Sequence, residues 1–212
     1  MKFDKSAMLL YAVTDRTWLG NRSLSEQVEE TIKGGATFIQ LREKELSFEG
    51  FVKEAEEIKK LTDHYQIPFV INDNHEVAMA VNADGVHVGQ GDMDARELRK
   101  RIGDKILGVS AQTVEQAIKA EEDGADYIGV GAVYATSTKT DANLVALETL
   151  QKICSTISIP VVAIGGLNEN NILGLKGTGV DGVALVSAIF SKLDIAKATR
   201  ELHSLSWEMI TS

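Results

Sequence analysis

Short runs rich in Val and Ile recur along the chain, at residues 9–15, 38–42, 69–73, 85–89, 106–110, 127–133, 161–166 and 182–187. Few charges interrupt them before their ends, which is the pattern of strands in a parallel sheet covered by helices. Between these runs the period changes to that of amphipathic helices. The clearest is 48–63, where Phe48, Phe51, Val52, Ala55, Ile58 and Leu61 form one apolar stripe and Lys53, Glu54, Glu56, Glu57 and Lys60 take the other positions. Ser23 with Glu26, and Thr113 with Gln116, have the spacing of capping boxes. Gly34-Gly35 and Gly124 stand where helices should stop.

A weak internal repeat organises these elements. Gly35-Ala36-Thr37-Phe38-Ile39, Asn82-Ala83-Asp84-Gly85-Val86, Gly124-Ala125-Asp126-Tyr127-Ile128 and Gly179-Val180-Asp181-Gly182-Val183 each end a helix, make a polar turn and open a strand. They precede the second, fourth, sixth and eighth strands. Pro68 and Pro160 open the third and seventh, where a missing N–H is tolerated. A motif returning at every second βα unit predicts a closed (β/α)8 TIM barrel rather than an open doubly wound sheet. No linker-like composition divides residues 1–212, so the chain reads as a single domain.

Composition narrows the partners. A formal net charge of −9 argues against general attraction to nucleic acid or to an anionic membrane, but leaves room for a small anion in a locally cationic cleft. The single cysteine, Cys154, can form no intramolecular disulfide, and its apolar helical surroundings favour a core position over a catalytic thiol. The N-terminal residues carry no signal-peptide core, and no apolar run approaches the ~20 residues of a membrane span. A cytoplasmic protein is the expectation. Its oligomeric state is not set by the pattern.

In such a barrel the active site is built at the carboxyl ends of the strands. There the sequence places Gln40-Leu41-Arg42-Glu43-Lys44, Asn72-Asp73-Asn74, Gly89-Gln90-Gly91-Asp92, Ser110, Thr136-Ser137-Thr138-Lys139, Gly165-Gly166 and Val186-Ser187. Gly165-Gly166, followed one strand later by Ser187, offers backbone N–H groups to a phosphate, although Gly-Gly also suits a plain tight turn. Asp73 and Asp92 end neighbouring strands and can converge on one magnesium ion, or each can cap the helix that follows. Arg42, Lys44 and Lys139 suit a polyphosphate, the alternative being salt bridges to Asp73, Asp92 or Glu43. Thr136, Thr138 and Lys139 lie in a loop able to close over bound phosphates, or simply solvated. His87 falls inside its strand, so an interior packing role is expected. His64, His75 and His203 read as helical or peripheral.

Taken together these residues resemble the thiamine-phosphate synthase family. The likeness runs from Tyr11-Ala12-Val13-Thr14-Asp15 through Gln40-Leu41-Arg42-Glu43-Lys44, Asn72-Asp73, Asp84 to Gln90 with Asp92, Gly108-Val109-Ser110, Asp126 to Gly131, Thr136 to Lys139 and Ile164-Gly165-Gly166, to Val186-Ser187-Ala188-Ile189. The resemblance implies a magnesium-assisted transferase that joins a hydroxymethylpyrimidine diphosphate to a thiazole phosphate, or its carboxylated form, and releases diphosphate. It implies Mg2+ on Asp73 and Asp92, diphosphate on Arg42, Lys44, Asn72 and Lys139, and the pyrimidine on Gln40 and Ser110. The thiazole phosphate falls to Thr136, Thr138, Gly166, Val186 and Ser187. Arg42, Lys44, Lys139 and Ser110 are the expected catalytic groups. Two positions depart from the family pattern: Gly131-Ala132 stands where Gly-Pro is common, and Asp141-Ala142-Asn143 lacks a customary glycine. Rival readings are a thiazole tautomerase, which needs no acid pair with clustered cations, and a noncatalytic phosphate-binding barrel, favoured only by the altered loop after Lys139.

Overall fold

The computed structural model describes residues 4–136 and 144–211. Eight parallel strands close into a barrel in chain order: β1 (Leu10–Val13), β2 (Phe38–Leu41), β3 (Phe69–Asn72), β4 (Gly85–Val88), β5 (Ile106–Ala111), β6 (Tyr127–Val130), β7 (Val161–Ile164) and β8 (Gly182–Leu185). The eighth strand pairs with the first through Tyr11 opposite Ala184, so no sheet edge is left open. The chain is thus the single-layered closed barrel that its pattern predicts, with strand ends falling one to three residues short of several apolar runs.

The helices are α1 (Leu24–Lys33), α2 (Phe48–Tyr65), α3 (His75–Ala80), α4 (Ala95–Ile102), α5 (Val114–Glu122), α6 (Leu147–Thr156), α7 (Ser187–Phe190) and α8 (Ile195–Thr211). The seventh crossover carries only a 3-10 turn, Ile172–Leu175. Ser23 and Glu26 form the full capping box of α1. Thr113 does accept the N–H of Gln116, but the Gln116 carboxamide takes the N–H of Gln112 instead of Thr113, so α5 has half a box. The stripe of α2 is narrower than expected: Phe51, Ala55, Ile58 and Thr62 are buried, whereas Phe48 is exposed because it lies in the first turn at the barrel rim.

Two apolar layers hold the fold. One fills the space between strands and helices, with Ile39, Leu41, Ile71, Val86, Leu107 and Ile128 meeting Val28, Ile58, Leu98 and Ile153. The other fills the barrel itself, from Met8, Tyr11, Val13, Phe38, Val70, Tyr127, Val162 and Ala184. Met8 belongs to a 3-10 turn, Lys5–Met8, that stoppers the barrel floor.

The repeated turn has a physical purpose at that floor. Thr37 Oγ1 and the carboxylates of Asp84, Asp126 and Asp181 accept the backbone N–H of Leu10, Phe69, Leu107 and Val161, at 2.9, 2.9, 2.8 and 2.7 Å. The same four residues donate their own N–H to the carbonyls of those partners. Each odd strand is therefore buttoned to the even strand after it. First-strand N–H groups that the ladder leaves bare are satisfied. No helix among the described residues is long and apolar enough to cross a membrane.

Candidate active site

The carboxyl ends of β1 to β5 bring most of the expected residues to one rim. At β2, Thr14 ties the strand end down: its N–H reaches Gln40 O at 3.0 Å and its hydroxyl accepts the Arg42 N–H at 3.0 Å. Glu43 then folds inward, its side chain only 2% exposed. Its carboxylate accepts the N–H groups of Lys44 and Glu45 at 2.6 and 2.8 Å and pairs with Arg16 at 3.2 Å. Arg16 also reaches Glu54 at 2.7 Å. Glu43 is thereby committed to Arg16, not to the rim cations. Among the described residues neither Arg42 nor Lys44 forms an ion pair, so both remain available to an anion.

At β3 the chain turns through Asp73, whose φ of 63° places it in the left-handed region. Its N–H is held by His87 O at 2.8 Å across to β4. Asp73 opens to solvent at the rim yet is crowded enough that burial, reinforced by the facing Asp92 carboxylate, pushes its carboxyl up to about 6; the Asn72 side chain and the Lys44 ammonium pull the other way. Asp92 in turn accepts the Gly89 N–H at 2.7 Å. Neither acid caps a helix. Asn74 caps α3 and Asp94 caps α4, so the helix-capping alternative does not apply to the pair.

Two carboxylates held against each other, with Lys44 near them, are a hard-oxygen donor set that a divalent cation would relieve. The described residues contain no group of three His, Cys, Asp or Glu side chains able to hold a metal. An ion on Asp73 and Asp92 would therefore draw its remaining ligands from water or from a bound diphosphate, the habit of magnesium. The donor set fits magnesium.

At β7, Gly165 and Gly166 have φ of 97° and 67°. A side chain at Gly166 would also meet the carbonyls of Tyr134 and Ala135, so these glycines serve the packing of the loop after β6 as well as any ligand. The Gly166 carbonyl is taken by the carboxamides of Asn168 and Asn171. Among the described residues no acceptor takes the N–H of Gly166 or of Ser187. Val186 precedes α7 and is half-buried. Thr136 is half-buried after β6, and Thr138 and Lys139 lie outside the described residues.

The sequence pattern missed what joins Gln40 to Ser110. Gln40 Nε2 donates to the Tyr11 hydroxyl; the Tyr11 and Tyr127 hydroxyls meet at 2.7 Å; Tyr127 Oη lies 2.9 Å from His87 Nδ1, and His87 Nε2 lies 2.9 Å from Ser110 Oγ. Burial pushes both tyrosine pKa values up and the imidazole of His87 down to about 4. His87 is inside the barrel as expected. The signal available beforehand was polar aromatic residues at inward positions of β1, β4 and β6, each otherwise apolar. Gly108 makes the room, since a Cβ there would meet the Tyr127 ring and hydroxyl and come within 2.5 Å of His87 Nδ1.

Cys154, half-buried on α6, is far from a nucleophile: burial pushes its thiol up to about 12. A cavity of about 180 Å³ lies outside the barrel between α4 and α5 and shares with the rim only the loop from Gly89 to Asp92.

Residues 10–189 match the TMP-TENI family, described as thiamine monophosphate synthase. A thiamine-phosphate synthase of Clostridium tetani is 53% identical over 194 residues, covering 91% of this chain and 93% of the relative. One from Ruminiclostridium cellulolyticum is 54% identical, covering 91% and 92%. Among solved structures, a thiamine phosphate pyrophosphorylase from Pyrococcus furiosus superposes with a TM-score of 0.90 at 38% identity, over 97% of this chain and 98% of that one.

Proposed function

This chain belongs to the thiamine monophosphate synthase family, and from that premise we propose that it is a transferase making thiamine phosphate from two phosphorylated small molecules. The substrates are 4-amino-5-hydroxymethyl-2-methylpyrimidine diphosphate and 4-methyl-5-(2-hydroxyethyl)thiazole phosphate or its carboxylated form. The carbon–oxygen bond of the pyrimidine methylene breaks first, its electron pair leaving with the diphosphate. The ring stabilises the methylene cation, and the thiazole nitrogen lone pair captures it. The balance is one thiamine phosphate and one diphosphate, with one carbon dioxide lost as well where the carboxylated thiazole is the substrate, and no protein nucleophile is needed.

Arg42, Lys44, Asn72 and Lys139 hold the diphosphate and offset the charge that grows on it, a preorganised electrostatic role. Gln40 and Ser110 orient the pyrimidine. Thr136, Thr138, Gly166, Val186 and Ser187 hold the thiazole phosphate, the last three chiefly through backbone groups, so that the second nucleophile is already in line when the cation forms. Asp73 and Asp92 are the residues that would hold magnesium. Bound there, the ion supplies further positive charge against the departing diphosphate. A cytoplasmic location agrees with a small-molecule transferase whose described helices span no membrane.

The observation that carries this reading is the pair of uncommitted cations, Arg42 and Lys44, beside the Asp73 carboxyl that burial and the facing Asp92 carboxylate push up. Incubating the purified chain with both substrates and magnesium tests it. Equimolar thiamine phosphate and diphosphate are expected. Thiazole isomerisation alone, or binding without turnover, would overturn the proposal.

A further inference from the structure

The five side chains that cross the barrel interior carry a countable number of hydrogens. Gln40 donates through Nε2 to the Tyr11 hydroxyl. Tyr11 is about 1% exposed, and its own hydrogen has the Tyr127 oxygen at 2.7 Å as acceptor. Tyr127, having accepted, passes its hydrogen to His87 Nδ1. A neutral imidazole that accepts at Nδ1 must donate at Nε2, and that donor faces Ser110 Oγ at 2.9 Å. Ser110, having accepted, keeps its own hydroxyl hydrogen for the rim. At the other end the Gln40 side-chain oxygen, Oε1, has no hydrogen bond among the described residues. The direction of the chain is therefore set at Gln40 and read out at Ser110. With the Gln40 carboxamide turned so that Nε2 faces Tyr11, reversing it would leave the buried Tyr11 hydrogen without an acceptor.

We infer that Tyr11, Tyr127 and His87 are positioning residues whose hydrogen-bond chain fixes Gln40 as an acceptor and Ser110 as a donor, so that the barrel mouth selects a ring carrying both an amine and a bare ring nitrogen. The inference rests on the proposed assignment of Gln40 and Ser110 to the pyrimidine. It adds the determinant of selectivity: a ring bearing a carbonyl and a ring N–H in place of amine and bare nitrogen presents the opposite pattern and leaves two groups unpaired. Sites built to match polar groups reject such mismatches strongly.

The test uses the full-length protein with 15N-labelled histidine. The chain has four histidines, and the spectrum of His87→Gln identifies the His87 signals. The wild type is expected to carry the proton on Nε2. Gln40→Met removes the donor that starts the chain and is expected to shift the His87 ring nitrogens, although methionine there touches neither. With Tyr127→Phe also present, that response should vanish. Kinetically, Tyr127→Phe and Tyr11→Phe should each raise KM for the pyrimidine diphosphate about tenfold, the worth of one buried hydrogen bond, with KM for the thiazole phosphate unchanged. A proton on Nδ1 in the wild type, an imidazole indifferent to Gln40→Met, or equal losses for both substrates would overturn the inference. Absence of thiamine phosphate formation by the wild type would instead overturn the proposed reaction, since the tautomer is read without substrate.

Discussion

The hydroxyls of Tyr11 and Tyr127, 116 positions apart in the chain, meet at 2.7 Å inside the barrel. They can do so because Gly108 on β5 has no side chain: a Cβ would lie against the Tyr127 ring and 2.5 Å from His87 Nδ1. Gly108→Ala is accordingly expected to lower stability by about 1–3 kcal/mol, the usual cost of overpacking a core, with turnover falling as the chain from Gln40 to Ser110 is pushed apart. Urea unfolding measures the first effect. A variant as stable as the wild type would show that β5 shifts to accept the methyl group.

At the opposite end of the barrel the strand buttons should be separable from catalysis. Asp84→Ala leaves the Phe69 N–H without its partner at 2.9 Å, and about 1–3 kcal/mol of stability should be lost. Asp84→Asn keeps an acceptor and should recover most of it. Both variants are expected to retain the wild-type KM values, because Asp84 lies on the barrel floor and the proposed substrate contacts among the described residues lie at the other end of the barrel. A changed KM would contradict that division.

Glu43 provides a test at the rim. Its carboxylate fixes the backbone around Lys44 by accepting the N–H groups of Lys44 and Glu45, and anchors Arg16. Glu43→Ala is expected to raise KM for the diphosphate substrate about tenfold, as expected when a group supporting a ligand-binding residue is removed, while binding of the thiazole phosphate stays unchanged. Steady-state kinetics with each substrate varied in turn distinguishes this from general destabilisation, which would depress both.

The barrel was legible because its determinants are local. Val and Ile runs, the polar turn before each even strand, and prolines at the openings of β3 and β7 all follow from short stretches of chain. The rim residues were legible by position, since a strand end is a strand end whatever lies opposite. What escaped was pairing between distant elements. Nothing near Glu43 announces Arg16, and nothing near Tyr11 announces Tyr127 or His87. Apolar neighbours made Tyr11 and Tyr127 look like ordinary strand residues. The half-formed box at Thr113 failed for a related reason: Gln116 found a nearer N–H on Gln112. Competing partners are invisible to spacing alone.

Cys154 gives a pH prediction whose sign follows from burial. The folded thiol is pushed up to about 12, chiefly by burial, from an ordinary value near 9.0. The unfolded chain therefore releases this proton first, and stability is lost as pH rises from the ordinary thiol value toward the folded one. The wild type should lose stability relative to Cys154→Ala above about pH 9, and iodoacetamide should label the native protein far more slowly than the unfolded chain at pH 8. Rapid native labelling would mean an ionised thiol and contradict its assignment to packing.

The central claim is that Asp73 and Asp92 share a divalent ion through which, with Arg42 and Lys44, the site grips diphosphate. Calorimetric titration of inorganic diphosphate into the protein, with magnesium and with chelator, tests it directly. The account expects binding with magnesium, little without it, and loss of the magnesium-dependent part in both Asp73→Asn and Asp92→Asn. Equal binding with and without magnesium, untouched by either substitution, would contradict it.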